Sequence, residues 1–168
     1  MRRLFLLALI LATASLAVAG PSLADKREGL DPRLRVLAAH RLVLDALGKG
    51  VQVYDCANGA WKFREPAAAI LRGERTVALH YAGTTWQSVK DGSKVVGAVV
   101  QMVPAAHPER DIPHLLLTAT STGPGAFAGV DYIQRLKTRG GVAPAGACEA
   151  GASIGVPYTA TYRFWAPA

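Results

Sequence analysis

Apolar and polar positions alternate along this chain in short runs broken by glycine and proline, and a period of two predicts β-strands. The clearest case surrounds Asn58-Gly59, a dipeptide that favours the type I′ turn of a tight hairpin. Folding about it pairs Ala57 with Ala60, Cys56 with Trp61, Asp55 with Lys62 and Tyr54 with Phe63. Tyr54, Cys56, Trp61 and Phe63 then share one face, and Asp55 meets Lys62 as an opposite charge on the other. Upstream, Gly48-Lys49-Gly50 separates residues 41–47 from 51–57 and suggests the turn of a three-strand meander. Asp31-Pro32 has the form of a helix start. The alternation of Leu42, Leu44 and Ala46 limits that helix to a short turn or irregular arm before His40.

Further strands are predicted over 76–81, 94–103, 115–121, 130–138 and 158–165. The nearly continuous valine and alanine of 94–103 reads as a strand buried on both faces. The last run places Tyr158, Ala160, Tyr162 and Phe164 on one side and Thr159, Thr161, Arg163 and Trp165 on the other. Turn residues lie between: Asp91-Gly92-Ser93, the 104–113 segment, Gly123-Pro124-Gly125 and a loop over 140–155. A helix of one or two turns is expected over 65–71. About seven to nine strands with almost no 3.6-residue pattern define an all-β, antiparallel sandwich or barrel-like domain.

The N-terminus adds a destination. Met1-Arg2-Arg3 precedes an unbroken apolar run over 4–11, then small residues and the helix-breaking Gly20-Pro21. This is the layout of a secretory signal peptide. Cleavage is expected either after Ala17-Val18-Ala19 or, preferably, after Ser22-Leu23-Ala24. The apolar run is shorter than the roughly 20 residues a bilayer core needs, and no later segment could span one. The expectation is a leader over 1–24, a single domain over 25–168, and a periplasmic or extracellular location.

Composition narrows the options. Of the 168 residues 51% are hydrophobic, enough for a sizeable core and against disorder. The formal net charge is +7. Without the leader, 17 basic residues stand against 12 acidic ones, scattered, with no basic run beyond Lys26-Arg27, which argues against a nucleic-acid partner. The two cysteines, Cys56 and Cys148, read in an oxidising compartment as one disulfide, two buried thiols being the alternative.

Familiar chemistries find little support. Gly151-Ala152-Ser153-Ile154-Gly155 matches a nucleophile elbow in letters, but a strand follows it and no histidine lies beyond His114. Gly123-Pro124-Gly125 precedes a strand rather than a phosphate-binding helix. His40, His80, His107 and His114 lack metal-ligand spacing, so no metal or other cofactor is expected. A site assembled in space from His80, Asp91 and His114 is the one metal arrangement left.

The densest polar-aromatic stretch is His80-Tyr81-Ala82-Gly83-Thr84-Thr85-Trp86, followed by Asp91-Gly92-Ser93. Such residues can line a small-molecule or sugar pocket, with rings stacking and the carboxylate accepting hydrogen bonds. The same residues also read as a capped turn with Trp86 in the core and His80 satisfied by backbone. Gln134-Arg135 adds polar groups on a strand, either ligand contacts or a rim pair.

These residues carry a resemblance. Gly50-Val51-Gln52-Val53-Tyr54-Asp55-Cys56, Trp61, the His80 to Trp86 stretch and Asp91-Gly92-Ser93 resemble an exported bacterial and fungal family catalogued as domain of unknown function 3455. So do Ile112-Pro113-His114-Leu115, Tyr132-Ile133-Gln134-Arg135, Thr138-Arg139-Gly140-Gly141, Cys148 and Tyr158-Thr159-Ala160-Thr161-Tyr162, so that the resemblance spans 50–165. It implies secretion and the pairing of the cysteines, and it implies no activity. Family members more usually carry Trp in place of His114, which weighs against a metal role there.

The expected function is therefore a non-catalytic binding or cell-envelope module for a small molecule, glycan or surface partner. His80, Tyr81, Trp86, Asp91, Gln134 and Arg135 are its candidate ligand contacts, and Trp86→Ala is expected to cost more binding than stability. A secreted hydrolase using His80 as base oriented by Asp91 is one alternative. A structural or stress-related envelope protein without a ligand is the other.

Overall fold

A computed structural model describes residues 29–168; the expected leader and both of its cleavage sites lie outside the described residues. Eight antiparallel strands form one closed ring in chain order. They are β1 (His40–Ala57), β2 (Ala60–Arg72), β3 (Arg75–Tyr81), β4 (Thr85–Ser88), β5 (Lys94–Val103), β6 (His114–Thr122), β7 (Tyr132–Gly140) and β8 (Ser153–Pro167). The choice left open between sandwich and barrel thus falls to the barrel, closed by a long β1–β8 ladder from His40↔Pro167 to Asp55↔Ser153. Closure leaves no free sheet edge between first and last strand. No helix among the described residues is long and apolar enough to cross a membrane.

The Asn58-Gly59 hairpin has the register that the sequence predicts, Cys56 opposite Trp61 and Tyr54 opposite Phe63. Both turn residues have positive φ, 55° and 74°, as a type I′ turn requires. Asp31 caps a single 3₁₀ turn, Pro32–Leu34, ahead of β1. Leu34 seals a small cluster with Val103, Leu116 and Leu136 on the outside of the barrel. Cys56 and Cys148 form a disulfide with Cα atoms 5.7 Å apart, which ties the β1–β2 hairpin to the loop before β8.

Four expectations are corrected. Gly48-Lys49-Gly50 is no turn, for β1 runs straight through it. A Cβ on Gly48 would run into the Tyr162 ring, and one on Gly50 into the backbone of Ala67 and Ala68, so these glycines permit close packing inside the barrel. The 65–71 helix is absent because β2 pairs with β1 on one side and β3 on the other, and the paired sheet overrides weak local propensity. β5 is not buried on both faces: Val95 and Gly97 turn inward while Val96, Val100 and Met102 are exposed, as the wall of a barrel one strand thick dictates, and past the bulge at Val99/Gln101 Val103 joins the outer cluster under Leu34. Finally, β8 begins at Ser153, inside the expected 140–155 loop.

Strand direction gives the barrel two ends. The lower end carries the turns after β2, β4 and β6, and the upper end carries the β1–β2 hairpin and the loops before β6 and β8. An eight-stranded barrel encloses a space that side chains can fill or that can hold one small ligand.

Candidate functional site

The lower interior is packed apolar. Ile70, Val95, Leu117, Phe127, Val130, Ile133 and Phe164 are all within 2% of full burial. Trp86 joins them at 1% exposure, edge-on to Phe164 with ring centroids 5.8 Å apart. Phe127 comes from the 123–131 loop and packs 5.0 Å from Phe164 as a plug.

The upper interior is polar. On β7, Ile133 lies opposite Phe164 and Arg135 opposite Tyr162, both inward-facing residues of β8, so alternation turns Arg135 into the barrel as well. Its Nε and one terminal nitrogen donate to the Pro113 carbonyl at 3.2 and 3.0 Å. Among the described residues no carboxylate forms an ion pair with it. Tyr158 and Tyr162 share a hydroxyl–hydroxyl contact of 3.2 Å, and the Tyr54 hydroxyl donates to the Gly141 carbonyl at 2.6 Å. The buried side-chain nitrogen of Gln52 has no hydrogen-bond partner.

Burial raises the pKa of the Tyr54, Tyr158 and Tyr162 hydroxyls, and the positive charge of Arg135 opposes that rise at each. Burial pushes His80 down to about 4, against the Thr85 carbonyl that favours its protonated form and with Arg135 adding to the depression. His114 is lowered by burial and then by Arg135. Both imidazoles are accordingly neutral near pH 7, and the cluster carries one positive charge with no acid to answer it. A cation set among phenol and imidazole groups in a partly desolvated barrel is complementary to an anionic group.

The six residues singled out from the sequence divide. His80 and Trp86 stack face to face, centroids 4.1 Å apart and planes within 2°, and with Arg135 they belong to the interior. Tyr81 instead donates to Gln87 Oε1 at 2.9 Å. Gln134 is buried on the outer side of the wall, its amide bridging the Leu34 carbonyl at 2.6 Å and the Trp165 indole at 2.9 Å.

Asp91 sits in the lower turn after β4, where its carboxylate accepts from the Ser93 hydroxyl at 2.7 Å and the Ala126 amide at 2.9 Å. The Ser93 hydroxyl above all holds its pKa down to about 2. His80 and Asp91 share no hydrogen bond, since antiparallel β3 and β4 carry them to opposite ends of the barrel and His80 Nδ1 is engaged by the Thr85 carbonyl at 2.9 Å. No group of three histidine, cysteine or acidic side chains among the described residues is placed to hold a metal, and His80, Asp91 and His114 do not form one.

Gln52, Tyr54, Tyr158 and Tyr162 were not among the candidates. Their signal was present in the inward alternation of the hairpin and of the last strand, but only ring closure turns both faces toward Arg135.

Residues 71–166 match the model of a family described as "Protein of unknown function (DUF3455)". The matched span takes in β3 to β7 and nearly all of β8, with His80, Trp86, His114, Arg135, Tyr158 and Tyr162, and begins downstream of Gln52, Tyr54 and Cys56. No curated protein and no solved structure matches the chain.

Proposed function

We propose that this chain, which belongs to the DUF3455 family, is an exported, non-catalytic binding protein that holds a small anionic molecule in the upper half of its barrel. One observation carries the reading: Arg135 turns inward among Tyr54, Tyr158, Tyr162, His80 and His114, and no carboxylate neutralises it. A cation partly withdrawn from water gains from an opposite charge, so a carboxylate- or phosphate-bearing ligand completes the arrangement. Tyrosine rings and hydroxyls supply stacking and hydrogen bonds around it. Export rests on the leader over 1–24, and the Cys56–Cys148 bridge agrees with an oxidising compartment.

Native mass spectrometry of the protein purified after export tests this. The wild type should retain a small acidic mass that Arg135→Met loses, with circular dichroism showing the same β-sheet in both. If wild type and variant retain the same mass, or if neither retains one and calorimetry with citrate, benzoate and inorganic phosphate detects no binding, the proposal fails and a purely structural envelope role takes its place.

A further inference from the structure

The opposite end of the barrel has an opening of its own. The β1–β2 ladder stops at Leu47↔Leu71, so residues 40–46 of β1 pair with β8 alone and the wall parts beside the β2–β3 turn. Two bulges flank the gap. The β1–β8 register slips between Leu42 and Leu44, and the β2–β3 register slips between Ile70 and Leu71, where Val77 is the extra residue. A bulge re-aims successive side chains, and bulges concentrate at barrel rims and beside sites. Here Val43 and Leu44 from β1 and Thr76 and Val77 from β3 all line one cleft of about 390 Å³, with Phe127 among its apolar residues. That volume falls within the roughly 300–1,000 Å³ of small-molecule sites.

Charge is distributed unevenly around this cleft. Arg72, Arg75 and Lys90 line it, and none of their side chains has an ion-pair or hydrogen-bond partner among the described residues. No carboxylate lines it. Glu74 stands in the turn between the two arginines, and Asp91 is held by Ser93 and Ala126. Three unpaired cations beside an apolar recess are complementary to a molecule with a negative head and a hydrocarbon tail.

We propose that this cleft is a second binding site, for a single-chain anionic amphiphile. Its hydrocarbon lies against Val43, Leu44, Val77 and Phe127, and its carboxylate or phosphate head meets Arg72, Arg75 and Lys90. The site is separate from the Arg135 cluster and does not depend on it.

Titration calorimetry with dodecanoate, dodecyl phosphate, dodecyltrimethylammonium and inorganic phosphate tests the assignment. One equivalent of dodecanoate or dodecyl phosphate should bind. The cationic amphiphile and phosphate alone should not. The R72Q/R75Q/K90Q triple variant changes only exposed side chains, so it should retain the wild-type dichroism spectrum and bind dodecanoate at least about tenfold more weakly. In the wild type, the methyl resonances of Val43, Leu44 and Val77 should move on titration. Equal binding of the cationic amphiphile, unchanged affinity in the triple variant, or shifts confined to the Arg135 side chain would each overturn it.

Discussion

Below the His80–Trp86 stack the barrel is filled by Ile70, Val95, Leu117, Phe127 and Phe164, while above it the same eight strands enclose Arg135, Gln52 and three tyrosines. The lower half follows the rule of a close-packed core, in which every side chain removed from water contributes to stability. The upper half breaks that rule with a cation that lacks an acid and an amide nitrogen that lacks a partner, and the Trp86 indole nitrogen at the border between the halves lacks one too. Departures of this kind from internal consistency are where binding sites are found. With the proposed function, the contrast divides the interior into an end that supplies stability and an end proposed for recognition.

Trp86 stands on the border and gives the largest effect. Its burial against His80, Tyr162 and Phe164 makes Trp86→Ala a core truncation, contrary to the sequence-based expectation of a mainly binding phenotype. A loss of about 3–5 kcal/mol in urea unfolding is expected. A variant with wild-type stability but weakened ligand retention would move Trp86 from the core to the site and blur the division.

The next effect is a pH dependence at the same border. His80 has its pKa depressed to about 4 by burial and titrates near 6.5 when unfolded, so the unfolded chain takes up its proton first as pH falls. Its contribution is complete above about pH 6.5 and is lost progressively down to about pH 4, on the order of 3 kcal/mol in all. His114 is shifted in the same direction. Asp91, depressed to about 2, adds a further loss that sets in as pH falls through the ordinary carboxylate value and is complete only below about 2. Unfolding measured across this range should show the upper loss in wild type and a flatter profile in His80→Phe. An unchanged profile in that variant would take His80 out of the pH response.

The smallest effect has the opposite sign. If the upper half sacrifices stability for recognition, Arg135→Met should unfold at slightly higher urea, by up to about 1 kcal/mol, while losing the retained anion. A loss of more than that would make the bond to the Pro113 carbonyl a structural anchor and bring the two halves under one rule.

Local chemistry was legible in the sequence. Asn58-Gly59 fixed its hairpin to the residue because the turn and both strands are neighbours in the chain, and the inward set Tyr158, Ala160, Tyr162 and Phe164 followed from alternation alone. The misreadings share a cause at longer range. Gly48 and Gly50 look like a turn until their packing partners are known, the Tyr162 ring for Gly48 and the Ala67–Ala68 backbone for Gly50, and Tyr162 lies on the far strand of the sequence. Residues 65–71 look helical until strands on both flanks claim them. β5 looks doubly buried until closure gives the sheet a single inside. Arg135 was selected for its polarity, but its place inside the barrel depends on pairing with Leu115 and Tyr162 together.

The β1–β8 ladder also governs how the molecule is made. Most barrel neighbours are sequential hairpins, but this seam joins the first strand of the ring to its last, from Asp55↔Ser153 to His40↔Pro167. Until β8 has left the ribosome, β1 has no partner along residues 40–46, and the nascent sheet is an open ribbon with two sticky borders. Such a high contact order makes completion of the ring a late and slow event. A chain that cannot close early remains threadable, which is the condition a polypeptide must meet to pass through a translocation pore.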